Sequence, residues 1–219
     1  MEFIDEALAK YANAHSSEEP QILKKLNRET HLKMMQSRML SGHIQGRLLS
    51  LLSHLTRPKC ILEIGTYTGY SAICLAEGLA EEGILHTIDN NPERDAFVNR
   101  FVEEAEMTNK IRTYIGDARK VIPTITGDFD IVFIDADKSG YAEYYDLIID
   151  RIKPGGIIIT DNVLWSGKVI EPVKANDDDT LLIQAFNKKI ASDPRVEVVL
   201  LPIRDGISIA RKIETGIYS

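Results

Sequence analysis

The sequence predicts an α/β fold: a seven-stranded, mostly parallel sheet with one reversed strand and helices on both faces. Three observations carry this prediction. From residue 60 to residue 162, short continuous apolar runs alternate with helical patterns, as expected of parallel strands buried on both faces. Acidic and amide residues stand where several of those runs stop, and open parallel sheets bind ligands beyond the carboxyl ends of their strands. After the last alternation the chain reads VEVVLLPI, then Arg204-Asp205-Gly206, then ISIARKI, a hairpin signal that supplies the reversed strand.

The elements follow in order. Apolar residues at helical spacing mark FIDEALAKYA and ILKKLNRETHLKMM as two N-terminal helices, the second with Pro20 in its first turn behind Ser16 and Ser17. A third pattern, GHIQGRLLSLLSHL, stops before Pro58. The strands are read at 60–65, 84–89, 111–116, 130–135 and 156–162. Between them lie helical GYSAICLAEGLAEE, closed by Gly83; NPERDAFVNRFVEEAEM; a short ARKVIPTI; and GYAEYYDLIIDRI, stopped by Pro154-Gly155. Residues 163–176 form a loop, NDDD at 176–179 offers an N-cap, and TLLIQAFNKKIAS is the last helix.

Composition narrows the function. With 219 residues, 44% hydrophobic and no Pro/Gly/Ser-rich linker, one domain is expected. Twenty-six basic against 33 acidic residues leave a net charge of -7, which excludes a broad phosphate-binding surface and nucleic acid as main partner. Two cysteines, Cys60 and Cys74, make neither a disulfide framework nor a zinc site. The five histidines show no ligand spacing. No apolar run approaches the ~20 residues needed to span a bilayer, so a soluble cytoplasmic protein is expected.

The first strand ends LEIGTYTGYS, with Gly65 and Gly69 flanking a turn into a helix. This is not the dinucleotide pattern G-x-G-x-x-G, and a tight turn without ligand is the plainer reading. Glu63 beside it would repel a diphosphate but suits a ligand carrying an ammonium. Asp89 ends the second strand, where a carboxylate can accept from a ribose diol, and Asp117 and Ala118 after the third can bound an adenine. Adenosine with an amino-acid tail is the ligand these residues describe; helix N-caps are the alternative role for Asp89 and Asp117.

On EIGTYTGYS (63–71), IDNNPE (88–93), GDA (116–118), DFDIVFIDADKSGYAEYY (128–145), RIKPGGIIITDNVLWSGKV (151–169) and DPRVEVVLLPIRDGISIARK (193–212), the chain resembles the cation-dependent S-adenosylmethionine O-methyltransferases of the caffeoyl-CoA and catechol type. The resemblance implies a class I, Rossmann-like methyltransferase: a core at 58–213 and N-terminal helices, 1–57, forming a lid and acceptor region. It implies that Met39 and Ser41 close over the methionine end of the cofactor, that Glu63, Gly65, Thr66 and Ser71 hold its amino and carboxylate groups, that Asp89 holds the ribose and Ala118 the adenine, and that Asp135 and Asp137 lie near the amino-acid tail. Tyr67, Asn90 and Asp117 complete the cofactor set. A homodimer is usual in such a family. Acidic VKANDDDT (173–180) stands where plant caffeoyl-CoA enzymes carry aromatic and basic residues, which does not suit the coenzyme A anion.

Asp135 ends the fourth strand; Asp161 and Asn162 end the fifth, which a right-handed crossover places beside it. Two carboxylates and an amide oxygen at one edge suit a hard cation, Mg²⁺ first, with Mn²⁺ or Ca²⁺ as alternatives. Adjacent hydroxyls of a catechol can take open positions on such an ion, which lowers the phenol pKa, and Lys138, three residues past Asp135, can accept the proton. Asn162 and Trp165 would meet the aromatic acceptor. The plainer roles are turn caps for the two aspartates, a solvated amine for Lys138 and packing for Trp165. Rival functions are a metal-independent methyltransferase, a nicotinamide dehydrogenase and a non-catalytic adenosyl-ligand sensor.

Overall fold

The computed structural model describes residues 4–214. Phe3, which opens the first helical pattern, and residues 215–219 lie outside the described residues. Seven strands form one sheet: β1 (Cys60–Ile64), β2 (Ile84–Asp89), β3 (Ile111–Ile115), β4 (Phe129–Ile134), β5 (Ile152–Asp161), β6 (Val196–Leu201) and β7 (Ile207–Lys212). Their order is β3-β2-β1-β4-β5-β7-β6. Only β7 is reversed, pairing antiparallel with both β5 and β6, as the hairpin signal requires.

The apolar runs become strands because both faces of each are covered. Along β4, Ile131 and Phe133 enter one core with Ile61 of β1, while Val132 and Ile134 enter the other with Leu62, the two-residue period of a pleated strand. The first core is closed by α2 (Gln21–Lys33), α3 (Gly42–Thr56), α4 (Tyr70–Ala76) and α5 (Asp95–Glu104). The second is closed by α6 (Ala118–Val121), α7 (Tyr141–Ile148) and α8 (Asp178–Ala191). The remaining helix, α1 (Glu6–Ala14), buries no residue. Among the described residues no helix is long and apolar enough to cross a membrane.

Several boundaries differ from the sequence reading. Pro20 is the N-cap of α2 and not a first-turn residue. The helix expected to run to Gly83 ends at Ala76, because α3 packs against it and the chain must turn at Gly78, where a Cβ would come within 2.3 Å of Ser53 and His54 backbone. The helix expected to reach Pro154 ends at Ile148 and continues as a 3-10 turn to Arg151. Strand β5 starts four residues early, at Ile152, and holds Pro154 and Gly155 in an irregularity: its register against β4 jumps from Phe129↔Ile152 to Ile131↔Ile157. A bulge tolerates the missing N–H of proline that a regular ladder would not. The NDDD cap holds, with the Asp177 carboxylate accepting from Thr180 N at 3.3 Å.

Candidate active site

Strand order reverses between β1 and β4, and the loops after these two strands touch. Gly65 N–H donates to Ile88 O and Asp135 N–H to Ile64 O, both at 2.9 Å, so each ladder runs one residue past its strand. Gly65 has φ 104, and a Cβ there would fall 1.9 Å from Asp135 O; glycine alone permits this approach. The result is a crevice lined by Met39, Ser41, Gly65, Thr66, Tyr67, Ser71 and Asp135. Seven residues expected at one cofactor are thus neighbours.

Glu63 lies at the floor of this region, fully buried. Burial pushes its carboxyl up to about 8, against the hydroxyls of Ser71 and Thr87. Thr87 donates to Oε2, while Oε1 has no protein partner. A buried oxygen without a donor is costly, and an ammonium is the group that would satisfy it. This orphan, with the glycine cradle beside it, fits the amino-acid end of S-adenosylmethionine.

The other expected cofactor residues divide. Asp89 is buried and accepts from Tyr67 N and Asn91 N, each at 2.8 Å, with Arg94 at 3.4 Å; it ties the first loop to the second. Asn90 beside it is exposed. Asp117 is an N-cap, accepting from Arg119 N at 3.0 Å, the alternative already open from the sequence, and Ala118 is buried behind it. Asp137 does not line the crevice. Tyr144 and Ser139 hydroxyls donate to it at 2.7 and 2.8 Å, and Arg119 lies at 3.8 Å. Burial would raise its carboxyl; these partners hold it below the ordinary carboxylate value.

The second cluster forms where β4 and β5 run side by side, with Ile134 paired to Thr160. Asp135 and Asp161 follow those two positions. Burial, then the neighbouring charge of Asp161, raises the Asp135 carboxyl above the ordinary value; burial also raises Asp161. Lys138 bridges the cluster: its Nζ donates to Asn162 Oδ1 at 2.7 Å, to Ala136 O at 3.1 Å and to the Tyr141 hydroxyl, and stands 3.8 Å from Asp135 Oδ1. Burial lowers the Lys138 pKa below the ordinary lysine value, while Asp135 and Asp161 oppose that shift. Its side chain is only 10% exposed, so it is not a solvated surface amine. Asn162 holds a left-handed backbone, φ 57, and the partly buried Trp165 places its ring 5.8 Å from Lys138 Nζ. Its indole N–H is buried without a partner.

Among the described residues no three His, Cys, Asp or Glu side chains converge as a metal site; the expected set is two carboxylates and an amide. Its chemistry fits a hard divalent cation. Asp161 is buried and Asp135 partly so, the charge of Asp161 raises the proton affinity of Asp135, and one amine reaches both Asn162 and Asp135.

Three residues of the site were not anticipated. Gln45, fully buried in α3, donates to Asp161 Oδ2 at 2.7 Å. A polar residue at the four-residue spacing of Leu49 and Ser53, on the apolar face of a helix, is the signal that could have found it. Tyr141, inside a motif already quoted, donates to Asp161 O at 3.0 Å. Arg204, in the β6–β7 turn, donates to Leu40 O at 2.9 Å; nothing local in the sequence points to it.

Comparison with known proteins identifies the family and the fold. Residues 13–213 match the family described as O-methyltransferase. The chain is 36% identical over 206 residues to caffeoyl-CoA O-methyltransferase 1 of Arabidopsis thaliana, covering 89% of this chain and 79% of that protein. It is 34% identical to caffeoyl-CoA O-methyltransferase 5 of Nicotiana tabacum, covering 89% and 85%. Among solved structures, the SAH-bound Podospora anserina methyltransferase superposes with a TM-score of 0.87 at 28% identity over 95% of this chain and 94% of that one. The O-methyltransferase TomG from Streptomyces achromogenes, in complex with SAM, gives 0.86 at 27% over 95% and 96%. A family match over nearly the whole chain, on a sheet of this order, makes the protein an enzyme of the O-methyltransferase family with the class I S-adenosylmethionine-dependent methyltransferase fold.

Proposed function

We propose that this O-methyltransferase moves the sulfonium methyl of S-adenosylmethionine to one hydroxyl of a small aromatic vicinal diol, with a divalent cation, Mg²⁺ first, at Asp135, Asp161 and Asn162 and with Lys138 as general base. The observation that carries the reading is the position of Lys138 Nζ, 2.7 Å from Asn162 and 3.8 Å from Asp135, the residue that also lines the cofactor crevice. Base, ligand set and methyl donor would thus share one corner of the sheet.

S-adenosylmethionine supplies an electrophilic methyl that leaves its sulfur with no proton to deliver. A bound divalent cation lowers the pKa of a phenol attached to it. The chain's residues do the rest. Glu63 takes the ammonium of the donor on Oε1, while Met39 and Ser41 cover it and the 66–71 turn orients its amino-acid end. Asp89 and Asn90 attend the ribose, Asp117 and Ala118 stand on the adenine side, and Asp137 follows Asp135 near the amino-acid end. Lys138, in its neutral form, receives the hydroxyl proton; burial favours that form. Trp165 walls one face of the acceptor ring. Holding the oxygen in line with the methyl is the protein's main contribution, about 7–11 kcal/mol in favourable cases.

The relatives' name, caffeoyl-CoA O-methyltransferase, supports an aromatic hydroxylated acceptor. Asp177, Asp178 and Asp179, beside the loop that carries Trp165, favour an acceptor without the coenzyme A anion. A homodimer belongs to the same reading, supported by Leu51 and Leu55, exposed one turn apart on α3. The free thiols Cys60 and Cys74 suit a cytoplasmic enzyme. A panel of catechols, hydroxycinnamates, flavonoids and matched monophenols tests the substrate class with Mg²⁺ present. Vicinal diols are expected to be methylated and monophenols not; comparable rates on both would overturn the diol reading.

A further inference from the structure

Three chain segments border the site: residues 37–41, residues 162–166 and the β6–β7 turn at 202–206. The turn is bonded to both of the others. On one side, Val163 N–H donates to Gly206 O at 3.1 Å and Leu164 N–H to Asp205 O at 2.9 Å, and the Asp205 carboxylate accepts from Ser166 N–H. Gly206 presses so closely that a Cβ on it would come within 2.5 Å of Leu164 Cγ. On the other side, Arg204 Nη1 donates to Leu40 O at 2.9 Å, and an added Cβ on Gly42 would stand 3.4 Å from the same nitrogen. Leu40 and its neighbours Met39 and Ser41 line the cofactor crevice.

The backbone of Arg204 makes the residue type informative. Its φ is 51, a left-handed conformation that side chains disfavour and glycine adopts freely. A residue placed there for its backbone alone would be glycine. The guanidinium also favours the ionised forms of Asp135 and Asp161, which places its charge near the reacting corner.

We propose that Arg204 is a positioning residue: it ties the segment covering the cofactor crevice to the turn that holds the acceptor loop, and so keeps the two walls in register. This rests on the reading of the crevice as the S-adenosylmethionine site. Without the guanidinium the carbonyl of Leu40 loses a charged donor, and residues 39–41 lose their tie across the crevice. The loss falls on ligand affinity more than on the chemical step.

The test uses the full chain, with Arg204→Gly and Arg204→Lys, in calorimetric titrations with SAH, steady-state kinetics and thermal unfolding. In Arg204→Gly the SAH Kd is expected to rise about ten-fold, as for loss of one charge-assisted hydrogen bond. The KM for the methyl donor should rise more than kcat falls. Tm should stay level or increase, because glycine accepts the left-handed turn. Arg204→Lys should recover part of the affinity. Unchanged SAH affinity in Arg204→Gly would overturn the proposal, as would a loss of affinity accompanied by a lower Tm and no recovery with lysine. Wild-type protein that fails to bind SAH would overturn the cofactor reading itself, and the positioning role with it.

Discussion

At the β1–β2 end of the crevice a fully buried carboxyl, Glu63, accepts from the Thr87 hydroxyl on Oε2 and has no protein partner on Oε1. At the β4–β5 end two carboxylates, Asp135 and Asp161, come with Lys138 among them, Gln45 on one oxygen and Arg204 nearby. Both ends hold carboxyl groups at low exposure, and they accommodate them differently. Among the described residues no cationic side chain pairs with Glu63, while Asp89 nearby has Arg94 at 3.4 Å. The second end carries its own cation, Lys138, and that amine must give up contacts before a divalent ion can be shared by the same oxygens. In the proposed reaction the first end would bind the cationic methyl donor, and the second would be where the proton moves.

The largest effect is expected from Asp161→Ala. Diol turnover should fall by about 10³-fold or more, as for removal of a group the transition state requires, with SAH affinity within about three-fold of wild type. Methyl-transfer rates and calorimetry together separate the two ends; a parallel loss of SAH binding would erase the distinction between them. Lys138→Ala comes next. Its kcat should drop about 10²–10⁴-fold, the usual range for a general base, with a smaller change in acceptor KM. In the wild type, kcat should rise with pH and level off below the ordinary lysine value of 10.5, because burial lowers the pKa of the amine and only its neutral form accepts a proton. A pH profile of kcat that is flat and unaffected by the substitution would remove Lys138 as base.

Glu63→Gln probes the opposite end, and SAH affinity should fall about 10–100-fold through loss of a charge-assisted bond. Its carboxyl, raised from 4.5 to about 8 in the folded chain, also has a signature in stability. Between those two pH values the unfolded chain has released the proton and the folded chain retains it, so free-enzyme stability falls as pH rises. Glu63→Gln should flatten that slope, and SAH binding by wild type near pH 7 should release protons, measurable as a buffer-dependent enthalpy. The smallest effect is expected from Gln45→Leu: about ten-fold weaker Mg²⁺ binding, as for loss of a group that orients a ligand. Stability should fall by about 1–3 kcal/mol, because the buried Asp161 Oδ2 loses the Nε2 donor of Gln45.

Legibility in the sequence followed the range of the forces involved. The sheet could be read because each strand is a short apolar run and burial on both faces needs nothing more specific. Asp135, Asp161 and Asn162 could be placed because a parallel sheet fixes where strand ends lie, whatever the loops do. Pro154-Gly155 misled because a local stop signal was overridden by pairing of β5 with β4 through a bulge. Asp137 is held by Tyr144 from the following helix, a contact that no local pattern announces. Gln45 and Arg204 act on partners 116 and 164 residues away, and no local periodicity encodes such a contact.

The proposed reaction requires three oxygens at adjoining strand ends to hold a divalent ion. The direct measurement is methyl transfer from S-adenosylmethionine to a catechol with Mg²⁺, in excess chelator, and after Mg²⁺ is restored. Turnover, loss of turnover and recovery are expected in that order. Equal transfer in excess chelator would contradict this requirement.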